Sequence, residues 1–446
     1  MRKRPPAPAW IRIAAVAATM LACAGPASSQ LLGRGLGGIV GGASGGLTRD
    51  LGRPLSETVG AADGTLAEVR RQAVQRLIRE HPEAVEADAE GAPVVRGEVL
   101  ALAPTEQALA AARAAGFRIG ARTSAPELGL DSVTLLAPPG LSAREALRRL
   151  RALDPQGQYD LDHIYQQGGG VAGPAADRGL PASRRAIRVG LVDGSVDVSH
   201  PAFRGTRVTQ QAFALGGAKV TAHATALASL LAGADGAFRG AAPGGEVLVA
   251  DVYGTTAAGG SAAAIAQGLA WLARNRVGVI NISLVGPPNL VLGAAVRGLT
   301  ARGFLLVAAV GNDGPAAPPL YPAAYPGVIA VTGVDARRRV LPEAGRGPQV
   351  AFAAPGAEMA AAMPGGGFAE VRGTSFAAPL VAGALAADLP SPDPTTAAAA
   401  VRRLAAAAQD LGARGRDPVF GFGLVAFDQR TDPARVAARV GALRGP

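Results

Sequence analysis

Five short runs from Ile187 onward are almost wholly apolar: IRVGLVD (187–193), EVLVADVY (246–253), VGVINISL (277–284), GFLLVAAV (303–310) and GVIAVTGV (327–334). Each has the length of a strand, and none alternates cleanly between apolar and polar residues. Such a strand has to be buried on both faces. Helical runs separate several of them, for example SAAAIAQGLAWLARNR (261–276) and NLVLGAAVRGLTARG (289–303). This order predicts an α/β domain whose mostly parallel sheet is covered by helices on both faces. In such folds the chemistry gathers at the carboxyl ends of the strands. The residues directly after each run are therefore the ones to read for function.

Asp193 ends the first run. An acidic side chain among apolar neighbours costs desolvation unless something accepts its charge, although Asp193 alone reads equally well as a turn residue. His223 opens TAHATALASLLAG (221–233), a helix of small residues that lets neighbouring elements approach closely. The other three histidines are placed less tellingly: His81 precedes a proline at a helix end, His163 falls in a smaller N-terminal domain, and His200 precedes Pro201 in a turn. The run FLLVAAVGNDGP (304–315) leaves its strand at Gly311-Asn312, where the asparagine offers a neutral NH₂ donor or a plain turn. In FAEVRGTSFAAPLVAGALAA (368–387), Ser375 starts a helix, and the free amides there favour developing negative charge. Pro379 lacks the amide that would bond back toward Ser375.

Together these side chains form the parts of an acyl-transfer site. A serine hydroxyl is a weak nucleophile at neutral pH. It needs an imidazole to take its proton, and the imidazole needs a carboxylate to fix its tautomer. The oxyanion that follows needs positioned donors. The order Asp, His, Ser excludes an α/β-hydrolase esterase, which runs Ser, acid, His.

On these blocks the chain resembles the subtilisin-like serine peptidases, the subtilase family. GLVDGSVDVSHPAF, HATALASLLAG, VINISL, AAVGNDG and GTSFAAPLVAGALA resemble the family's blocks in the family's order, over about 187–428, with PVFGFGLVAFD resembling its closing segment. The resemblance implies a serine endopeptidase acting through an acyl-enzyme. Asp193, His223 and Ser375 would be the triad, and Asn312 the side-chain oxyanion donor with the Ser375 amide as the second. Ser283, Leu284, Val285, Gly286 and Gly311 would lie along the substrate. Two residues depart from the pattern: Gly194 stands where the family usually has Ser or Thr, and Ala224 where it has Gly. Neither is a reacting group. The alternative reading is a weakly active or inactive subtilase-fold protein that binds peptides in the cell envelope.

The N-terminal half reads as several pieces. Residues 1–29 have signal-peptide grammar, with cleavage after Ala24 or Ser29. MLAC also resembles a lipoprotein box, so a lipid anchor at Cys23 is the alternative. Either way the protein is expected outside the cytoplasm, extracellular or periplasmic, with no transmembrane span. Residues 30–60 read as a Gly-rich linker and 61–90 as a charged helical segment stopping at His81-Pro82. Residues 91–166 follow the order β-α-β-β-α-β of a ferredoxin-like split βαβ sandwich. Residues 167–186 read as an exposed, cleavable linker, 187–428 as the main domain and 429–446 as a tail. The resemblance implies that the small domain is a propeptide that aids folding, inhibits the enzyme and is cut off by autoprocessing within the linker.

Composition excludes some partners. The net charge of +10 comes almost wholly from scattered arginines, the only lysines being Lys3 and Lys219, and aromatic residues are 4% of the chain. No basic patch with interleaved aromatics advertises nucleic-acid binding. With one cysteine no intrachain disulfide forms. The mechanism needs no cofactor. Calcium is common in the family, but no convincing group of oxygen ligands is visible. The expected substrates are proteins or peptides, with apolar or small residues preferred, and a monomer is expected.

Overall fold

The computed structural model describes residues 64–175 and 187–436. The signal peptide, Cys23, the 30–60 linker, residues 176–186 and the end of the tail lie outside the described residues. A helix, α1 (Gly64–Glu80), comes first. The small domain then runs β1 (Val85–Ala87), β2 (Pro93–Leu102), α2 (Glu106–Ala114), β3 (Arg118–Ala125), β4 (Leu130–Leu136), α3 (Ala143–Leu153) and β5 (Gln158–His163). It is a small α/β domain with an antiparallel sheet in which β5, β2, β4 and β3 are successive neighbours and β1 pairs with the start of β2. Strand β1 falls inside the stretch that the sequence assigns wholly to a charged helical segment. Thr105 and Ser142 cap α2 and α3 through their side chains, the second in a capping box with Glu145.

Two further strands follow where the sequence predicts an exposed linker: β6 (Gln166–Gln167) and β7 (Gly170–Ala175). Then comes the large domain: β8 (Arg188–Asp193), β9 (Arg207–Ala212), α4 (Ala222–Ala232), the ribbon β10 (Ala234–Asp235) and β11 (Phe238–Arg239), β12 (Glu246–Asp251), α5 (Ala262–Arg274), β13 (Val279–Ile282), β14 (Leu284–Val285), α6 (Leu290–Ala301), β15 (Leu305–Ala309), β16 (Ile329–Val334), β17 (Val350–Pro355), β18 (Met359–Ala362), β19 (Phe368–Arg372), α7 (Thr374–Ala386) and α8 (Pro394–Ala407). Its main sheet has seven strands, all parallel, in the order β17-β16-β15-β13-β8-β12-β9.

The apolar strands divide their side chains between two cores. Val189, Leu191, Val247 and Val249 pack on one face with α4 and α7. Val192, Leu248, Ala250 and Ile280 pack on the other with α5 and α6. This is the period-2 alternation of any strand, hidden in the sequence because both faces are covered. The small domain's Leu100, Ala125, Leu128 and Leu130 join the second core, so its sheet lies on α5 and α6. Two acidic residues of β5 fix this docking. Asp162 Oδ1 accepts from the Ala263 amide at 3.0 Å, and Asp160 Oδ2 from the Leu290 amide at 2.7 Å. Each carboxylate thus sits at the N-terminus of a helix, where free amides and the helix dipole favour negative charge.

Candidate active site

Strand β8 ends at Asp193, which is fully buried. Its Oδ1 accepts from the Gly194 amide at 2.7 Å and from Gln167 Nε2 at 2.7 Å. Its Oδ2 lies 2.8 Å from His223 Nδ1. His223 stands in the first turn of α4, whose N-cap Thr221 accepts from the Ala224 amide at 3.0 Å. The bond to Asp193 holds the ring by one nitrogen. The other, Nε2, is buried with no hydrogen-bond partner. The Phe376 ring meets the imidazole edge to face, with centroids 5.4 Å apart.

Ser375 enters from α7. Its Oγ donates to the Ser283 carbonyl at 3.3 Å, and the Ser283 hydroxyl donates to the Ser375 carbonyl at 3.0 Å. Asn281 Nδ2 donates to that same hydroxyl at 2.9 Å. Asn312 follows β15 and is held by its oxygen, which accepts from the Thr374 amide at 3.0 Å. The Gly311 amide donates to Thr374 Oγ1 at 3.2 Å. This leaves Asn312 Nδ2 buried and unpartnered, like His223 Nε2. Buried polar groups are nearly always paired, so two orphans in one cleft mark a place where something else is to be bound.

The segment after the small domain fills that cleft. Strand β6 pairs antiparallel with β14, Gln167 opposite Leu284 and Gln166 opposite Val285. Strand β7 pairs with β19, Gly170 opposite Arg372. Gly168 bridges the two and is buried. A Cβ added to Gly168 would lie 3.1 Å from Ser375 Oγ and 3.4 Å from Asn312 Nδ2. Gly373 has φ +135°, and a Cβ there would meet the Gly169 Cα at 2.9 Å, Asn312 Nδ2 at 3.1 Å and the Gly168 carbonyl oxygen at 3.3 Å. The missing side chain of Gly373 is thus the space where the Gly168 carbonyl and the Asn312 amide converge. Arg70 of α1 reaches the same cleft, donating to the Val285 carbonyl at 3.0 Å and pairing with Asp313 at 3.2 Å.

The structure therefore gathers Asp193, His223, Ser375, Asn312, Ser283, Leu284, Val285 and Gly311 around residues 166–170. Gly286 packs on Tyr165, just before that segment, where an added Cβ would lie 2.6 Å from the ring, and both its backbone groups bond to Tyr321. The linker departs from the sequence expectation at 167–175. Glycine-rich sequence carries no side-chain pattern, but its backbone can pair with two waiting strand edges. Gln167, Thr374, Phe376 and Arg70 escaped the sequence reading, because their contacts cross between elements far apart in the chain.

The two departures from the family pattern have visible surroundings. A Cβ at Gly194 would lie 2.7 Å from Thr221 Cγ2 and 2.8 Å from its Oγ1, so the α4 cap occupies the space a side chain at 194 needs. Ala224 is fully buried, and its amide makes the bond to that cap. Among the described residues no group of three or more His, Cys, Asp or Glu could hold a metal ion, and no helix is long and apolar enough to cross a membrane.

Residues 184–423 match the model of the subtilase family, Peptidase_S8. The chain belongs to the subtilase family. Subtilisin Savinase of Lederbergia lenta is 35% identical over 224 residues, 48% of this chain and 80% of that protein. The minor extracellular protease Epr of Bacillus subtilis is 36% identical over 182 residues, 40% of this chain but only 28% of Epr. Among solved structures, fervidolysin of Fervidobacterium pennivorans, described as a keratinolytic enzyme related to subtilisin, aligns with a TM-score of 0.64 at 21% identity, covering 79% of this chain and 61% of that one. That likeness speaks for the fold. This subtilase thus spans well under a third of Epr and less than two thirds of fervidolysin.

Proposed function

We propose that the chain is an exported serine endopeptidase made as a precursor and cut by its own Ser375. The observation that carries this is the seating of Gly168, with its carbonyl and Asn312 Nδ2 sharing the space over Gly373. Ser375 Oγ leaves the Ser283 carbonyl, gives its proton to His223 Nε2 and attacks the Gly168 carbonyl carbon. Asp193 holds the ring tautomer and stabilises its charged form. Asn312 Nδ2 and the Ser375 amide donate to the oxyanion, the first satisfying an amide that is otherwise an orphan. His223 then passes the proton to the Gly169 nitrogen, the Gly168–Gly169 bond breaks, and water hydrolyses the acyl-enzyme.

In this reading residues 91–166 are a ferredoxin-like propeptide, a view supported by the β5-β2-β4-β3 neighbour order. It acts as folding aid and inhibitor by docking on α5 and α6 and leaving its C-terminal strand along β14. The substrates are proteins or peptides laid along β14 in place of β6. The chain works as a monomer outside the cytoplasm, as the name of the extracellular relative Epr and the leader-like N-terminus suggest. The chemistry runs through no metal, and no calcium site is assigned.

A fluorophosphonate probe tests the nucleophile. It should label the purified protein at Ser375 and abolish peptide hydrolysis, and Ser375→Ala should take no label. A folded parent protein that neither labels nor hydrolyses any peptide would overturn the proposal in favour of a peptide-binding scaffold.

A further inference from the structure

Gly168 does not lie in the left-handed region of backbone space, so any residue could adopt its conformation at that position. What limits it is the surroundings. An added Cβ would lie 3.1 Å from Ser375 Oγ, so close that one of the two must give by a few tenths of an ångström, 3.4 Å from Asn312 Nδ2 and 3.8 Å from Val285 Cγ2. The next carbon of a longer side chain has to compete with Val285, which is buried. Val285 does not stand alone. The side of Gly311 that lacks a Cβ is filled by Leu320, whose Cδ1 would lie 2.6 Å from such an atom, with Val285 Cγ1 at 3.7 Å.

The leaving side is also narrow. Gly169 has φ +153°, and a Cβ there would meet Phe376 Cε2 at 2.6 Å and the Arg372 carbonyl oxygen at 3.3 Å. The two residues flanking the bond at Ser375 are therefore both glycines in a site with little room for anything else.

We infer that Val285 and Leu320 close the acyl-side pocket, so that this peptidase cuts after glycine in preference to any larger residue and takes glycine-rich protein segments as substrates. The inference rests on the endopeptidase reading above and narrows its substrate class. Side chains that lie between the reacting serine and the pocket floor act by excluding bulk. A single methylene in an apolar pocket changes selectivity by about 10–200-fold, so a leucine at the acyl position faces a loss at the upper end of that range or beyond.

Processing of the full-length precursor tests this by intact mass against time. Gly168→Ala should be cut more slowly than the parent but faster than Gly168→Leu, which should be slowed at least ~100-fold. Adding Leu320→Ala, or Leu320→Ala with Val285→Gly, to Gly168→Leu should restore cutting after residue 168. Such a rescue cannot come from a precursor that merely misfolds. The matured parent should in turn prefer a peptide with glycine over the same peptide with leucine before the cut, and Leu320→Ala should narrow that preference by at least ~10-fold. Equal rates for Gly168→Leu and the parent, or free cleavage after leucine and phenylalanine by the matured parent, would overturn the closed pocket while leaving the peptidase intact. Failure of both enlarging variants to rescue would overturn the roles of Val285 and Leu320. A parent precursor with no Ser375-dependent cutting or labelling would overturn the endopeptidase reading itself, and this inference with it.

Discussion

An amide buried without a partner forgoes a hydrogen bond and costs roughly 1–3 kcal/mol, and Asn312 Nδ2 is held in that state by the bond its oxygen accepts from Thr374. That cost is offset only when an oxyanion forms and accepts the bond. Asn312→Ala in the matured protein should then lower kcat by about 10²–10³-fold with KM little changed, a magnitude measured in subtilisin itself, a relative of this chain. Steady-state kinetics on one peptide decides it; an equal loss in KM alone would mean a binding role. Gly194 makes a second residue-scale claim. Because Thr221 fills the space beside it, replacing it with the residue usual in the family should not improve the protein. Gly194→Ser should destabilise it by about 1–3 kcal/mol through overpacking, read as a lower melting temperature of the Ser375→Ala precursor.

The nucleophile helix α7 is buried on every side, which its sequence, apolar after Thr374 and Ser375, allows and which an amphipathic helix could not tolerate. At Gly383 an added Cβ would lie 2.5 Å from the Cβ of Ala241. Gly383→Ala should therefore lose stability despite alanine's better helix propensity, by about 1–3 kcal/mol, and denaturant unfolding of the Ser375→Ala precursor would show it. Elements of this kind were legible in the sequence: apolar runs marked most of the sheet strands, and the runs at 261–276 and 289–303 contain the helices α5 and α6. The strand-end rule led to Asp193 and Asn312, and the helix starts to His223 and Ser375. Strands β6 and β7 were not legible, because their pairing depends on edges supplied by β14 and β19. Strand β9 was not either, since as the outermost strand it exposes much of its length and shows no apolar run.

At the scale of the whole molecule, the stability of the folded precursor is tied to pH. Burial, then the nearby Asp162 carboxylate, pushes the Glu98 carboxyl up to about 7, and burial pushes Asp162 up to about 6. The folded precursor thus holds protons that the unfolded chain would release near pH 4. Its stabilisation is complete below about pH 4 and is lost as pH rises through 6 and 7. The melting temperature of the Ser375→Ala precursor should fall between pH 5 and pH 8, and Glu98→Gln should flatten that slope; a rise with pH would contradict the assignment. The docked small domain delivers Gly168 to Ser375, and the intact masses of the parent precursor and of Ser375→Ala, followed in parallel under folding conditions, show whether the bond is then cut. A cut after Gly168 is expected in the parent alone, leaving a large fragment that begins at Gly169. A parent that stays whole, or a Ser375→Ala protein cut at the same bond at the same rate, would contradict it.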